Sequence, residues 1–140
     1  MTIKNMPGID IVVTDKTAAK IIGIQVKAKQ NTGKKKVWTL TDRDEKRISD
    51  NLFYVFVDLK MKKAEPAEFY VFTSREVAKR ITKYNEEWEK EPGHNPNKIR
   101  SFILKDNEEP GNWSILLGPP GRTPTRQTRR TQSAGGRPEA

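Results

Sequence analysis

Asp10, Gln25 and Lys27 are the residues whose types and spacing can do chemistry. Asp10 stands in the run Gly8-Ile9-Asp10-Ile11-Val12-Val13, and fifteen residues later Gln25 and Lys27 alternate with Ile24 and Val26. An aspartate carboxylate is a hard oxygen ligand for a cation such as Mg²⁺, and a strand carbonyl and an amide oxygen can add to its ligand set. A lysine ammonium beside them can steer a water and stabilise the charge that develops on a phosphate. That combination suits the cutting of phosphodiester bonds. It works only if the chain brings the three residues together.

The flanking residues supply two strands for the purpose. Ile9 to Thr14 is short and β-branched, and Lys20 to Ala28 is a second run of the same kind. The polar stretch Asp15 to Ala19 between them is short enough for a hairpin. Side chains alternate along a strand. Ile22, Ile24 and Val26 therefore share one face, and Ile21, Gly23, Gln25 and Lys27 share the other. On the first strand Asp10, Val12 and Thr14 lie opposite Ile9, Ile11 and Val13. A register that sets Asp10 near Gln25 gathers all three groups at one sheet edge, and the sequence leaves that register open.

Further along, Lys29 to Lys36 is a basic loop around Gly33, Val37 to Leu40 is a short edge segment, and Thr41 is a cap residue for a charged helix start. Leu52 to Leu59 is a nearly unbroken apolar run, the pattern of a strand buried on both faces. A polar turn from Met61 to Pro66 leads to Glu68 to Phe72, which pairs with that strand as a second hairpin. Thr73 and Glu76 read as a capping box. Val77, Ile81, Tyr84 and Trp88 then form one face of a helix that ends before Pro92-Gly93. Ile99 to Leu104 and Trp113 to Leu117 are an added strand and a closing segment. The expected fold class is α/β with a four-stranded mixed sheet and a flanking helix.

Composition sets the limits. The chain has 140 residues, suited to one domain, and a formal net charge of +9. From Gly118 onward it lacks Ile, Leu, Val and aromatic residues, so residues 118–140 are expected to be a disordered Arg/Pro/Gly-rich tail and 1–117 the folded domain. The tail carries five arginines against one glutamate, so a net +5 belongs to the folded part. That balance favours a polyanionic partner, nucleic acid first, although solvated surface lysines give the same count. The chain has no cysteine, which excludes disulfides, zinc–thiolate sites and cysteine nucleophiles. It has no apolar run of membrane-spanning length and no signal-peptide pattern, so no membrane partner and a cytoplasmic location are expected.

Gly8-Ile9-Asp10-Ile11, a short hairpin, and then Ile24-Gln25-Val26-Lys27 resembles the core motif of the PD-(D/E)xK superfamily, the restriction-endonuclease-like nucleases. The pair LFYVFVDLK and EFYVF followed by a helix is also similar to uncharacterised bacterial members. The resemblance covers roughly residues 7 to 90 and implies a restriction-endonuclease-like core and a metal-dependent endonuclease acting on DNA. It implies Mg²⁺ (or Mn²⁺) held by Asp10, Gln25 and the carbonyl of Val26, with Asp10, Gln25 and Lys27 as the catalytic set. Two departures stand out. Gln25 occupies the place of the second acidic residue, as in Mrr-type members. Only seven residues precede Gly8, so the helix that usually comes before the Asp strand is expected to be missing. An uncovered sheet face would then favour a homodimer.

Rival readings stay open. The three polar residues also fit an ordinary hairpin with polar ends. The same fold without turnover would be a non-catalytic nucleic-acid-binding or interaction module. Lys29, Lys34, Lys35 and Lys36 either contact phosphates beside the site or form a solvated loop. Trp38 and Trp88 can stack on bases, although Trp88 lies on the apolar face of its helix. His94, the single histidine, sits in a turn-rich stretch and reads as a residue without a catalytic role. Gly118-Pro119-Pro120-Gly121 is no phosphate loop, because prolines stand where amide donors are needed.

Overall fold

A computed structural model describes residues 8–30, 35–60 and 65–117. The expected tail from Gly118, the residues before Gly8 and Lys34 of the basic loop lie outside the described residues. The strands are β1 (Ile11–Thr14), β2 (Ile21–Lys29), β3 (Val37–Thr41), β4 (Leu52–Asp58), β5 (Glu68–Thr73) and β6 (Ile99–Ile103), with one helix, α1 (Ser74–Glu89). Single 3₁₀ turns follow β3 (Asp42–Glu45) and close the described chain (Trp113–Leu117). Four strands form one mixed sheet in the order β1-β2-β4-β5, and β3 pairs with β6 in a separate two-stranded sheet.

Local chemistry accounts for these elements. The β1–β2 turn is closed by Asp15, whose Oδ1 accepts from the amides of Thr17 and Ala19. β1 and β2 are antiparallel as expected, with Ile11 opposite Ile24. β2 then runs parallel to β4, which needs a crossover, and β3 with its 3₁₀ turn provides it. β4 and β5 form the expected antiparallel pair. Every residue of β4 is buried, in keeping with its continuous apolar sequence. One face packs Tyr54 and Phe56 against Trp38 and Leu40 of β3, Phe102 of β6, and Val77 and Ile81 of α1. The other packs Val55 and Val57 with Ile24 and Val71, under Ile115 and Leu116.

Several expectations change in detail. β1 starts at Ile11 rather than Ile9, because Gly8 takes φ +79° and the chain bends before entering the sheet. Val37 to Thr41 is an edge strand as expected, but of a separate two-stranded sheet. It pairs along its length with β6, and Trp38 is 1% exposed with its indole N–H donating to Val57 O at 3.0 Å. Trp38 is thus a core residue and no platform for bases. Thr41 caps one 3₁₀ turn, not a longer helix. Thr73 Oγ1 accepts from Glu76 N at 3.1 Å as expected of an N-cap, but the Glu76 carboxylate accepts from Arg80 Nε and leaves the reciprocal half of the box unmade. Tyr84 is exposed, and Trp88 is half-buried and stacked on His94 at 4.1 Å between ring centroids. His94 Nδ1 lies 2.7 Å from Trp88 O, which ties the loop after α1 to the helix end.

Candidate metal centre

The sheet edge at β1 sets the geometry of Asp10. Its amide donates to Ile24 O at 2.8 Å, and its carboxylate Oδ2 accepts from Val26 N at 2.8 Å. Asp10 therefore brackets Gln25, holding the residue on either side. Ile11 is already the register partner of Ile24, so Asp10 and Ile11 together oppose one residue of β2. That two-to-one arrangement is a β-bulge, a device that redirects a side chain. Here it turns the Asp10 carboxylate onto the next free amide of β2.

Backbone alternation fixes a second oxygen. Gly23 N donates to Asn51 O and Leu59 N to Lys29 O, so the odd-numbered residues of β2 point their backbone groups toward β4. Ile24 and Val26 point theirs the other way, toward β1. Among the described residues β1 does not extend alongside Val26, so the Val26 carbonyl faces the same sheet edge as the carboxylate bound to its amide.

Gln25 lies on the face shared with its register partner Tyr54. It is 8% exposed, and its Oε1 is buried with no hydrogen-bond partner among the described residues. A buried amide oxygen left unpaired costs roughly 1–3 kcal/mol, so such an atom calls for an explanation. Lys27 follows on the same face, half-buried, and its side chain makes no hydrogen bond or ion pair among the described residues. Ile9 packs on Gly23, where an added Cβ would meet its side chain at 3.2 Å, and against the core beside it.

A polar layer lies beneath. The Tyr54 hydroxyl donates to Asp44 Oδ1 at 2.6 Å, and burial followed by that bond pushes its pKa well above the ordinary tyrosine value. Tyr54 thus keeps its proton. Asp44, itself buried, also takes the Thr41 amide on Oδ2 at 2.9 Å. Arg47 reaches Asp44 Oδ1 at 3.5 Å. The roles of Tyr54, Asp44 and Arg47 escape a reading of the sequence. The pairing of Gln25 with Tyr54 follows from a parallel register, which no short-range pattern encodes.

The basic residues separate into two kinds. Lys29 and Lys35 are exposed. Lys36, expected with them as a phosphate contact, is held internally: its Nζ donates to Glu68 Oε1 and to Tyr70 Oη, each at 2.9 Å, and stands 3.4 Å from the buried Asp58. Burial alone would lower the Lys36 pKa, but the bonds to Glu68 and Tyr70 outweigh it and hold it above the ordinary value. A groove of about 380 Å³ opens beside this cluster.

As a metal centre the donor set is all oxygen: the Asp10 carboxylate, the Gln25 amide and the Val26 carbonyl. Hard oxygen donors suit Mg²⁺ or Mn²⁺, and the orphaned Gln25 oxygen is the kind of atom that a cation would satisfy. The set carries a single negative charge. Among the described residues no group of three or more His, Cys, Asp or Glu side chains converges as a metal site. No helix among them is long and apolar enough to cross a membrane. No family model, curated protein or solved structure matches the chain.

Proposed function

We propose that the chain is a metal-dependent nuclease domain that hydrolyses phosphodiester bonds in DNA, built on the restriction-endonuclease-like plan. The observation that carries this reading is Gln25 Oε1, buried and unpartnered between the two residues that Asp10 holds. In this reading Asp10, Gln25 and the Val26 carbonyl would hold Mg²⁺ or Mn²⁺. The cation, when bound, supplies Lewis-acid polarisation and offsets the charge of a phosphate. Lys27 places an unpaired ammonium on the same face, where it orients the attacking water and stabilises negative charge gathering on the phosphate oxygens. The water oxygen bonds to phosphorus as the bond to the leaving sugar oxygen breaks. That oxygen takes up a proton, and the water gives up its own to solvent. The exposed Lys29 and Lys35 add positive charge at the end of β2 and the start of β3.

A second reading has its own support, since a neutral Gln25 gives the site one charge fewer than a carboxylate pair would. In that reading the domain binds nucleic acid without turnover. Incubation of circular DNA with Mg²⁺ or Mn²⁺ separates the two. Cleavage that is lost in Asp10→Asn and in Lys27→Ala, both still folded by circular dichroism, supports the nuclease. Cleavage undiminished in both variants overturns the assignment. Salt-dependent binding with no cleavage by the wild-type chain supports the binding module.

A further inference from the structure

We propose that β1 is an interface between two copies of this chain: their β1 edges pair antiparallel about a two-fold axis, and Ile11 of each copy enters an apolar groove on the other. The pairing does not depend on the nuclease reading. β1 and β5 are the edge strands of the four-stranded sheet. An uncovered edge is a template for another strand. On β5, Asn112 and Gly111 occupy the outward groups of Val71 and Phe69 and blunt the edge. On β1, no described strand pairs with the outer side, and Ile11-Val12-Val13-Thr14 holds no charge and no proline. Ile11 and Val13 are 48% and 42% exposed.

The hydrogen-bonding pattern of that edge is self-complementary. Ile11 and Val13 are the register partners of Ile24 and Ile22, which turn their backbone groups toward β1. Val12 and Thr14 therefore turn theirs outward. Setting Val12 opposite Thr14 of the partner subunit uses the N–H and C=O of both residues, and a two-fold axis repeats the exchange. The axis then passes beside Val13, which faces its own copy in the close, non-hydrogen-bonded kind of pair. The same register sets Asp10 across from Lys16 of the partner subunit, so opposite charges meet at both ends of the pairing. It also sets Ile11 across from Asp15 of the partner subunit, at the mouth of the groove. That groove measures about 430 Å³ and is walled by Val13 and Ile22 of the hairpin and by Trp113, Leu116 and Leu117. Its two charged members are engaged within the chain. Asp15 Oδ1 accepts from the amides of Thr17 and Ala19, and Lys20 Nζ donates to Leu116 O at 3.0 Å. What remains is apolar wall, which suits an aliphatic side chain rather than a charged ligand. Ile11 shares the face of Val13 by strand alternation, so across the axis it lies on the side where this wall opens.

The test uses the full chain, without metal or DNA. Sedimentation across a concentration series is expected to give a mass rising from 16.0 kDa toward twice that value. Val12→Pro removes an N–H on the outer side alone, and Val13→Lys sets two like charges across the axis. Each is expected to weaken the dimer about a hundredfold with circular dichroism unchanged, because each change acts in both copies. Should Val12→Pro fail to fold, Val13→Lys still decides. The chain has no cysteine, so a single introduced one reports geometry. Val13→Cys is expected to form an intermolecular disulfide under mild oxidation, and Ile99→Cys, exposed on β6, is expected not to. A folded wild-type chain that stays at 16.0 kDa up to millimolar concentration overturns the proposal. Nuclear Overhauser contacts from Trp113 and Leu117 to residues 118–140 of the same chain would then assign the groove to the chain's own end. A dimer that Val12→Pro and Val13→Lys leave intact, or that Val13→Cys fails to cross-link, has its interface elsewhere and equally overturns the proposal.

Discussion

At the scale of single residues, the unpaired oxygen of Gln25 is the place where folding and function pull apart. A methionine at this position has similar length and no polar atom to strand. Gln25→Met is expected to raise stability by about 1 kcal/mol in urea denaturation, because the desolvation cost of the orphaned amide disappears. The same change is expected to remove any upward shift of the unfolding midpoint by Mn²⁺, an effect that the wild-type chain should show in proportion to the logarithm of cation concentration. Gln25→Glu should act oppositely. It buries a carboxylate, so the metal-free protein loses stability, while Mn²⁺ binding tightens. A Gln25 that is only structural would give the first result without the other two.

At the scale of elements, β5 is an edge strand whose exposure is managed by one side chain. Asn112 donates through Nδ2 to Val71 O at 2.7 Å and accepts on Oδ1 from Val71 N at 2.9 Å, while Gly111 N donates to Phe69 O at 2.8 Å. The amide thus stands in for a neighbouring strand. Asn112→Ala is expected to cost about 2 kcal/mol by chemical denaturation, since both Val71 groups lose their partner. It should also produce concentration-dependent association in light scattering, because the edge is then open. Nothing in the sequence marks Asn112, since its partner lies some forty residues away and its role depends on which strand ends the sheet. The elements themselves were more legible. The hairpin of β1 and β2, the doubly buried β4 and the Thr73 cap rest on alternation, apolar continuity and a side-chain–backbone bond, all local signals. The two-stranded sheet of β3 and β6 was not legible, because Trp38 and Phe102 meet only after α1 has brought the chain back. At the candidate site, residue types pointed to Asp10, Gln25 and Lys27. The bulge that makes Asp10 bracket Gln25, and the meeting of Tyr54 and Arg47 on Asp44, arise from tertiary packing.

At the scale of the whole molecule, charge links parts of the chain that are distant in sequence. Asp58 at the end of β4 and Glu68 at the start of β5 share Lys36, from before β3, and Lys60. Hydrogen bonds from Lys36 and then Lys60 hold the Glu68 carboxyl down at about 2, against an ordinary 4.5. The unfolded chain therefore takes up this proton at higher pH than the folded one. The contribution of Glu68 to stability is full above about pH 4.5 and is lost as the pH falls toward 2. Glu68→Gln is expected to flatten the acid limb of a stability-against-pH curve in that window and to leave the neutral region's slope unchanged. The parallel pairing of β2 with β4 has a consequence in time. The hairpin that carries Asp10, Gln25 and Lys27 is made of near neighbours, but its inner partner joins only after β3 has been crossed. Closing that loop is the slow, entropically costly event. Val55→Ala, in the middle of β4, should then slow refolding in stopped-flow traces more than it speeds unfolding. Until that event the two-stranded hairpin is only marginally stable alone, so the candidate centre comes into being late, as a product of the completed sheet.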